Sequence, residues 1–219
     1  VLGSLNILKD NYAELTDEER FRFISNLRDA AVRVYMLVEN LLHWSILSAD
    51  RVMYSPEKIH LAPLLKDTSE PFVLEMKLRN ITLMRDYDDQ ITVFADQYLL
   101  KTVVRNLLSN AIKFTPDNGN ISMRVRISGE YAAISIIDSG IGISEADISK
   151  LFRSDVLNSE IGSPHSKKGT GLGLLICGEF VKLNKGTISV SGEPGLGSDF
   201  TFTVPLFPDN QKEQNSLKN

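Results

Sequence analysis

The 219-residue sequence is poor in several features, and each scarcity excludes a class of protein. It has one cysteine, Cys177, so no internal disulfide can form and a reducing compartment is expected. No apolar run approaches the roughly 20 residues that a membrane-spanning helix needs, and we expect no signal peptide. The net charge of −4 lacks the basic excess typical of nucleic-acid binding. We therefore expect a cytoplasmic chain that contacts neither nucleic acid nor membrane.

The composition itself is that of a globular protein, with 42% hydrophobic and 24% charged residues. The length suits one domain with an appendage. The chain begins at Val1, without Met and inside an apolar-periodic stretch, so we expect a fragment of a longer protein.

The first 50 residues predict part of a helical hairpin. Thr16 and Glu19 have the spacing of a capping box, which opens a helix that runs to about Ser48. Along this helix a heptad seam repeats at spacings of three and four: Ile24, Leu27, Ala31, Val34, Val38, Leu41, Ser45 and Ser48. A second stripe recurs every seven residues: Phe23, Ala30, Leu37 and Trp44. We expect residues 1–50 to pair with a second copy as a four-helix bundle, which makes the protein a homodimer.

Residues 51–59 are interpreted as a linker, residues 60–207 as a second domain and residues 208–219 as a disordered tail. The predicted helices span 61–79, 96–114, 144–151 and 172–183, and the predicted strands span 81–85, 91–94, 121–127, 132–137, 187–191 and 199–204. Asn80 is expected to end the first of these helices and Asp96 to cap the second. The pattern predicts an α+β fold in which about three helices cover one face of a mixed sheet.

The segment from Arg105 to Thr115 carries the first of three motifs. Asn106 and Asn110 are four residues apart on one helix face, and Lys113 lies on the same side. An amide oxygen is a suitable ligand for Mg²⁺, and a lysine one turn away suits phosphate. The alternative is that these are solvated groups on a helix surface.

The second motif runs from Asp138 to Ile143 and follows an apolar strand. The Asp138 carboxylate can accept a hydrogen bond from an adenine amino group, and Gly140 and Gly142 allow the backbone close to the ring. The alternative, a simple turn cap, does not account for the second glycine. Phe114 is a candidate for the base pocket or, alternatively, for the core.

The third motif opens a helix with three glycines, where exposed N–H groups and the helix dipole favour phosphate. Its candidate phosphate-binding residues are Lys168, Gly169, Thr170, Gly171, Leu172 and Gly173. The polar segment before it is long and is interpreted as a lid over the nucleotide. In this order and spacing the three motifs predict an ATP site.

These segments resemble the N, G1 and G2 boxes of sensor histidine kinases. Phe152 lies where the F box begins, although little of that box follows, and residues 195–202 resemble the last glycine motif. The resemblance covers about residues 1–206 and implies the two-layer α/β sandwich of Bergerat type, shared by gyrase, the mismatch-repair ATPases and the heat-shock chaperone family. It also implies that the helical hairpin is the dimerisation and phosphotransfer domain.

The same resemblance implies roles for individual residues. Asn110 would coordinate Mg²⁺, Lys113 would contact phosphates, Asp138 would read adenine and residues 152–170 would close over ATP. Hydrolytic members of the wider superfamily carry a glutamate four residues before the metal-binding Asn, and here that position is Asn106. An amide cannot act as the general base for water, which favours a kinase over a hydrolase.

The phosphoacceptor histidine of such kinases lies on the first hairpin helix, and we expect it upstream of Val1. His43, His60 and His165 lie outside its usual context. The implied partner is a response-regulator receiver domain, and the implied location is cytoplasmic, including the cytoplasmic part of a membrane-anchored sensor. Two alternatives stay open: a hydrolytic ATPase of the same superfamily and a non-catalytic dimeric scaffold.

Overall fold

The computed structural model describes residues 54–148, 151 and 172–208, and earlier in the chain residues 5, 8–12, 15–28, 30, 31 and 34. It divides into two compact units, Val1–Val52 and Met53–Asn219. The whole of the predicted lid, the second half of the predicted hairpin and the tail after residue 208 lie outside the described residues. Over the part that is described, no helix has the length and apolar character to cross a membrane.

The first unit contains helical residues at 8–10 and 17–28. The Thr16 backbone N–H donates to Glu19 Oε2 at 2.8 Å, and the Glu19 N–H donates to Thr16 Oγ1 at 3.3 Å. These reciprocal bonds satisfy N–H groups that a helix start leaves without partners, and they confirm the predicted capping box. Two members of the heptad seam, Ile24 and Val34, are 54% and 51% exposed. The single chain therefore leaves part of this apolar stripe open to solvent.

The second unit alternates short helices with strands. In chain order its elements are β1 (Glu57–His60), α1 (Leu61–Ser69), a 3₁₀ turn (Glu70–Phe72), α2 (Val73–Leu78), β2 (Thr82–Asp86), β3 (Thr92–Ala95), α3 (Gln97–Phe114), β4 (Asn120–Ser128), β5 (Tyr131–Asp138), α4 (Glu145–Ile148), α5 (Leu172–Leu183), β6 (Ile188–Glu193) and β7 (Gly197–Pro205). Five strands form one sheet in the order β2-β4-β5-β7-β6, and β1 pairs with β3 separately. The β2–β4 pair is parallel and the other pairs are antiparallel. This mixed sheet with helices confirms the predicted α+β class.

Helix α3 is central to the core because its apolar residues recur at helical spacing. It packs against α1, α5 and strand β5. On β5 the buried residues alternate with more exposed ones, as expected for a sheet that is covered on one face. The buried apolar residues of α3 are Leu99, Leu100, Val103, Val104, Leu107, Leu108, Ala111 and Ile112.

The predicted single helix over residues 61–79 is wrong. Helix α1 ends at Ser69, a 3₁₀ turn containing Pro71 follows, and α2 begins at Val73. Proline lacks the backbone N–H that an α-helix needs and its ring collides with the preceding turn, so the helix breaks there. The stop at Asn80 is confirmed, since its φ of 53° is left-handed.

Asp96 connects the start of α3 to two other segments. Its Oδ1 accepts from the Leu99 N–H at 3.1 Å, which confirms the predicted cap. Its Oδ2 accepts from the Ser55 N–H at 3.0 Å, and its own N–H donates to Asn184 Oδ1 at 2.7 Å. Asp96 is 7% exposed, so these bonds are made largely out of water. Asp96 thus joins the start of α3 to the segment before β1 through its carboxylate and to the residue after α5 through its backbone N–H.

Asp96→Ala is expected to lower the free energy of opening α3 by about 2 kcal/mol, because it removes an N-cap and a second charged hydrogen bond. Native-state hydrogen exchange of the α3 amides measures this. The matched control is Asp88→Ala, since Asp88 Oδ1 accepts from the Gln90 N–H at 2.8 Å in an exposed turn; a change under about 0.5 kcal/mol is expected there. Equal effects of the two substitutions would contradict the role of Asp96.

Candidate functional site

The polar stripe of α3 faces away from its apolar residues. Asn106, Asn110 and Lys113 are all half-buried, whereas their neighbours Leu107, Leu108, Ala111 and Ile112 are buried. The stripe therefore has the arrangement that the sequence predicts. At its end the Lys113 Nζ lies 4.7 Å from the centroid of the Phe114 ring, a cation–π distance. A cation, an aromatic face and two amides thus lie along one side of the helix.

Asn106 lies against the first turn of α5. A Cβ placed on Gly173 would stand 3.5 Å from Asn106 Oδ1, and the Asn106 amide is near enough to the Cys177 thiol to influence its pKa. That thiol is buried and donates to the Val103 carbonyl at 3.9 Å. Burial raises the pKa of Cys177 to about 12 although the Asn106 amide acts in the opposite direction, so the thiol stays neutral. The structure therefore brings the first and third motifs together at Asn106 and Gly173.

Asp138 ends β5 as a buried carboxylate, 5% exposed. Its Oδ1 accepts from the Gly140 N–H at 2.8 Å, and its Oδ2 accepts from the Ser198 hydroxyl. Burial raises the pKa of Asp138 above its ordinary value, and the hydrogen bonds from Ser198 and Gly140 oppose that rise. The carboxylate is therefore held in one orientation by two neighbours, one on its own turn and one on β7.

The two glycines after Asp138 are required by close contacts. A Cβ on Gly140 would lie 2.6 Å from the Phe114 carbonyl oxygen, and one on Gly142 would lie 1.8 Å from the Glu193 carbonyl oxygen. Gly142 also has a φ of +70°, which glycine adopts without strain. The turn consequently fits between the end of α3 and the β6–β7 hairpin. Ile143, the last residue of the motif, is half-buried.

Several predicted site residues cannot be placed. Lys168, Gly169, Thr170 and Gly171 lie outside the described residues, as do Phe152 and the side chain of Leu172. Of the three histidines, His60 is exposed at the end of β1, whereas His43 and His165 lie outside the described residues. The described part of the site is therefore the α3 stripe, the Asp138 turn and the start of α5.

Ser198 is a site residue that the sequence analysis does not single out. It reaches Asp138 because β5 and β7 are neighbours and the two residues are direct cross-strand partners. The preceding Gly197 has a φ of +96°, and a Cβ there would lie 1.9 Å from the Asp138 carbonyl oxygen. The run Gly195-Leu-Gly-Ser198 just before a strand is the available signal, but it does not reveal which strand lies alongside.

Comparison with known proteins identifies the architecture. A family model described as histidine kinase-, DNA gyrase B- and HSP90-like ATPase matches residues 95–208, which include the α3 stripe, the Asp138 turn and the start of α5. The chain belongs to this family. The predicted resemblance to sensor histidine kinases is thereby confirmed, and the second unit is a histidine kinase ATP-binding domain.

Individual relatives agree with this assignment. The sensor histidine kinase RcsC of Salmonella typhimurium is 29% identical over 210 residues, which cover 94% of this chain and 22% of RcsC. The chain thus spans less than a quarter of that relative's length.

Solved structures of two histidine kinases share the fold. The nucleotide-free catalytic domain of ThkA is 27% identical with a TM-score of 0.60, and the match covers 71% of this chain and 98% of that domain. Full-length ShkA in complex with AMPPNP is 26% identical with a TM-score of 0.69, and the match covers 88% of this chain and 40% of ShkA.

In this kinase domain, Ser198→Ala is expected to raise the pKa of Asp138 further, because the Ser198 hydrogen bond stabilises the ionised carboxylate. A titration that follows the ¹³C shift of the Asp138 carboxyl carbon measures the change. Ser189→Ala serves as the control, since Ser189 is exposed on β6 and its hydroxyl donates to the Thr201 carbonyl instead. An Asp138 pKa that falls or stays constant in Ser198→Ala would refute the assignment of this hydrogen bond.

Proposed function

We propose that this chain is the catalytic part of a sensor histidine kinase, which binds Mg²⁺-ATP and donates the γ-phosphoryl group to a histidine upstream of Val1. The observation that carries the proposal is the meeting of three elements: the amide stripe of α3, the buried Asp138 turn and the start of α5. ShkA, whose fold this chain shares, is known in complex with an ATP analogue, AMPPNP. In the proposal the phosphoryl group then passes to an aspartate of a response-regulator receiver domain.

Asp138 is proposed to recognise the adenine amino group. A carboxylate has about four acceptor positions, and the bonds from the Gly140 N–H and from Ser198 do not use all of them. Acceptor capacity is therefore left for a ligand donor. Gly140 and Gly142, with Ile143 and the Phe114 ring, would form the surroundings of the base.

The phosphate end is proposed to lie where α3 meets α5. Lys113 on α3 supplies positive charge, and the N-terminus of the twelve-residue α5 supplies N–H groups and the positive end of a helix dipole. Gly169, Thr170, Gly171, Leu172 and Gly173, with Lys168 before them, would hold the phosphates.

A magnesium ion is proposed to be held by Asn110. Its half-buried amide lies one turn beyond Asn106, and a neutral oxygen ligand fits an ion that takes its other ligands from phosphates and water. When bound, the ion neutralises phosphate charge. The protein's own contribution is then to orient the nucleotide and to supply Lys113 as a fixed cation.

The transfer itself needs little covalent chemistry from this chain. The bond between the γ-phosphorus and its bridging oxygen breaks, an imidazole nitrogen of the acceptor bonds to the phosphorus, and ADP leaves with the bridging oxygen. The proton on the other ring nitrogen leaves to water. Asn106 cannot accept a proton from water, which disfavours wasteful hydrolysis.

A homodimer is proposed through the helical first unit. Ile24 and Val34 belong to the heptad seam and are about half exposed in the single chain. A second copy would cover them, as in a four-helix bundle.

Asp138→Asn is expected to weaken Mg²⁺-ATP binding by about ten- to a hundredfold, the size of one hydrogen bond to a charged group. Isothermal titration calorimetry measures it. Inosine triphosphate has a carbonyl in place of the adenine amino group, so it should bind the wild type more weakly than ATP, and this difference should shrink in Asp138→Asn.

The control for that experiment is Asp199→Asn, which makes the same chemical change on β7, where Asp199 accepts from the Thr201 hydroxyl at 2.8 Å. It should leave ATP affinity within about twofold. If the wild-type chain bound no nucleotide, the dimeric scaffold would become the better interpretation.

A longer chain that restores the upstream helix is expected to become labelled by γ-labelled ATP. The label should be acid-labile and base-stable, as on histidine, and Asn110→Ala should abolish it. No label on the intact longer chain would contradict kinase activity, and steady ATP hydrolysis by the present chain would favour the hydrolytic alternative.

A further inference from the structure

Arg79, directly after α2, has contacts that the proposed function does not account for. Its Nη1 donates to the Ile112 carbonyl at 2.6 Å, its Nη2 donates to the Thr115 carbonyl at 2.6 Å, and its Nε donates to Asp117 Oδ1 at 2.8 Å. The side chain is 24% exposed, so the guanidinium is mostly enclosed by these acceptors. All three acceptors belong to the last turn of α3 or to the turn that follows it.

The end of α3 is a place where a guanidinium is effective. The last carbonyls of a helix have no partner within the helix, and they form the negative end of its dipole. A planar guanidinium can donate to two carbonyls at fixed geometry, which an ammonium group cannot do. Arg79 therefore caps α3 by supplying a positive charge and two N–H donors of fixed orientation.

A second set of bonds fixes the same turn. The Asn118 N–H donates to the Arg79 carbonyl at 3.0 Å, and Asn80 Nδ2 donates to Asn118 Oδ1 at 2.7 Å. Asn80 and Asn118 both have left-handed backbone, with φ of 53° and 64°. The segment after α2 is thus joined to the segment after α3 by backbone and by side chains.

The segment that Arg79 holds, which is the end of α3 and the turn after it, contacts the Asp138 turn from two sides. On one side the Phe114 carbonyl oxygen is so close that a Cβ built on Gly140 would be only 2.6 Å from it. After the turn, the Asn120 N–H donates to Ser139 Oγ at 2.8 Å and the Ser139 N–H donates to the Asn120 carbonyl at 3.0 Å. The end of α3 and the Asp138 turn therefore have little freedom to move separately.

We propose that Arg79 is a positioning residue of the nucleotide site: it holds the end of α3 so that Lys113 and Phe114 stand correctly against the Asp138–Gly140 turn, without itself touching the nucleotide. This inference rests on the proposed function, because it assigns the site a support that lies outside the three sequence motifs. The support is supplied by the segment between α2 and β2.

The test compares Arg79→Met with Arg126→Met by calorimetry of Mg²⁺-ATP binding, at a temperature where circular dichroism shows both to be folded. Arg126 is a matched control because its guanidinium also donates to two carbonyls, those of Asp86 and Val125, and to the Asp86 carboxylate. It lies opposite Ala133 on β5, five residues from Asp138.

Arg79→Met should weaken ATP affinity by about tenfold, since small displacements of positioning groups are costly, whereas Arg126→Met should stay within about twofold. Arg79→Lys keeps the charge but loses the planar pair of N–H donors, so its ATP affinity should lie between those of the wild type and Arg79→Met. If Arg79→Met fails to fold, Arg79→Lys provides the test. Affinity within twofold of the wild type in a folded Arg79 variant would overturn the proposal, even if that variant melted at a lower temperature.

A double-mutant cycle with Lys113→Ala separates positioning from general destabilisation. If Arg79 acts by placing Lys113 and its neighbours, Arg79→Met should cost less affinity in the Lys113→Ala background than in the wild type. Equal losses in both backgrounds would overturn the proposal. If the wild-type chain bound no Mg²⁺-ATP, both the proposed function and this inference would be wrong. If Arg79→Met bound Mg²⁺-ATP as tightly as the wild type, only this inference would be wrong.

Discussion

The second unit depends on helix α3 being fixed at both ends by hydrogen bonds from other segments. Its two faces serve different purposes. One face is apolar and buried in the core; the other presents two amides and Lys113, and the first of these amides, Asn106, lies against the start of α5. A helix cannot satisfy its own terminal N–H and carbonyl groups. Asp96 supplies the acceptor at the start and Arg79 supplies the donors at the end. Each of these two residues also bonds a distant segment, so the same interactions that complete the helix also fix it within the domain.

Asp138 presents the opposite problem, a charge placed where water is scarce. Burial alone would favour its neutral form, as the raised pKa shows. The hydrogen bonds from Gly140 and Ser198 counter that tendency without using every acceptor position of the carboxylate. Their geometry depends on glycines that permit contacts with backbone atoms, and on the sheet order that places β7 beside β5. The orientation of the Asp138 carboxylate therefore depends on the order of strands in the sheet, although only its own turn is recognisable as a sequence motif.

Short-range sequence patterns predict the features that interactions between neighbouring residues determine. The cap at Asp96, the left-handed Asn80, the length of α3 and the pairing of β4 with β5 follow from short-range patterns, and the structure has them. The break at Pro71 was also a local signal, but the apolar spacing around it favoured one continuous helix. Strand β1 lies partly in the predicted linker, because four residues form a strand only when β3 pairs with them. Ser198 and Arg79 could not be predicted, since their acceptors are 60 and 33 residues away along the chain.

Asn106 shows how packing and chemistry constrain the same position. Its amide lies beside Gly173 and near the Cys177 thiol, which burial keeps neutral. A glutamate here, as in the hydrolytic ATPases that the motifs resemble, would place a negative charge against that buried thiol and near the proposed phosphates. A carboxylate out of water needs hydrogen-bond donors, and the nearby Cys177 thiol already donates to the Val103 carbonyl. The neutral amide avoids the charge and still packs against Gly173 at the start of α5. In the proposed function, the residue that packs α3 against the first turn of α5 is thus also the one that leaves this position without a general base.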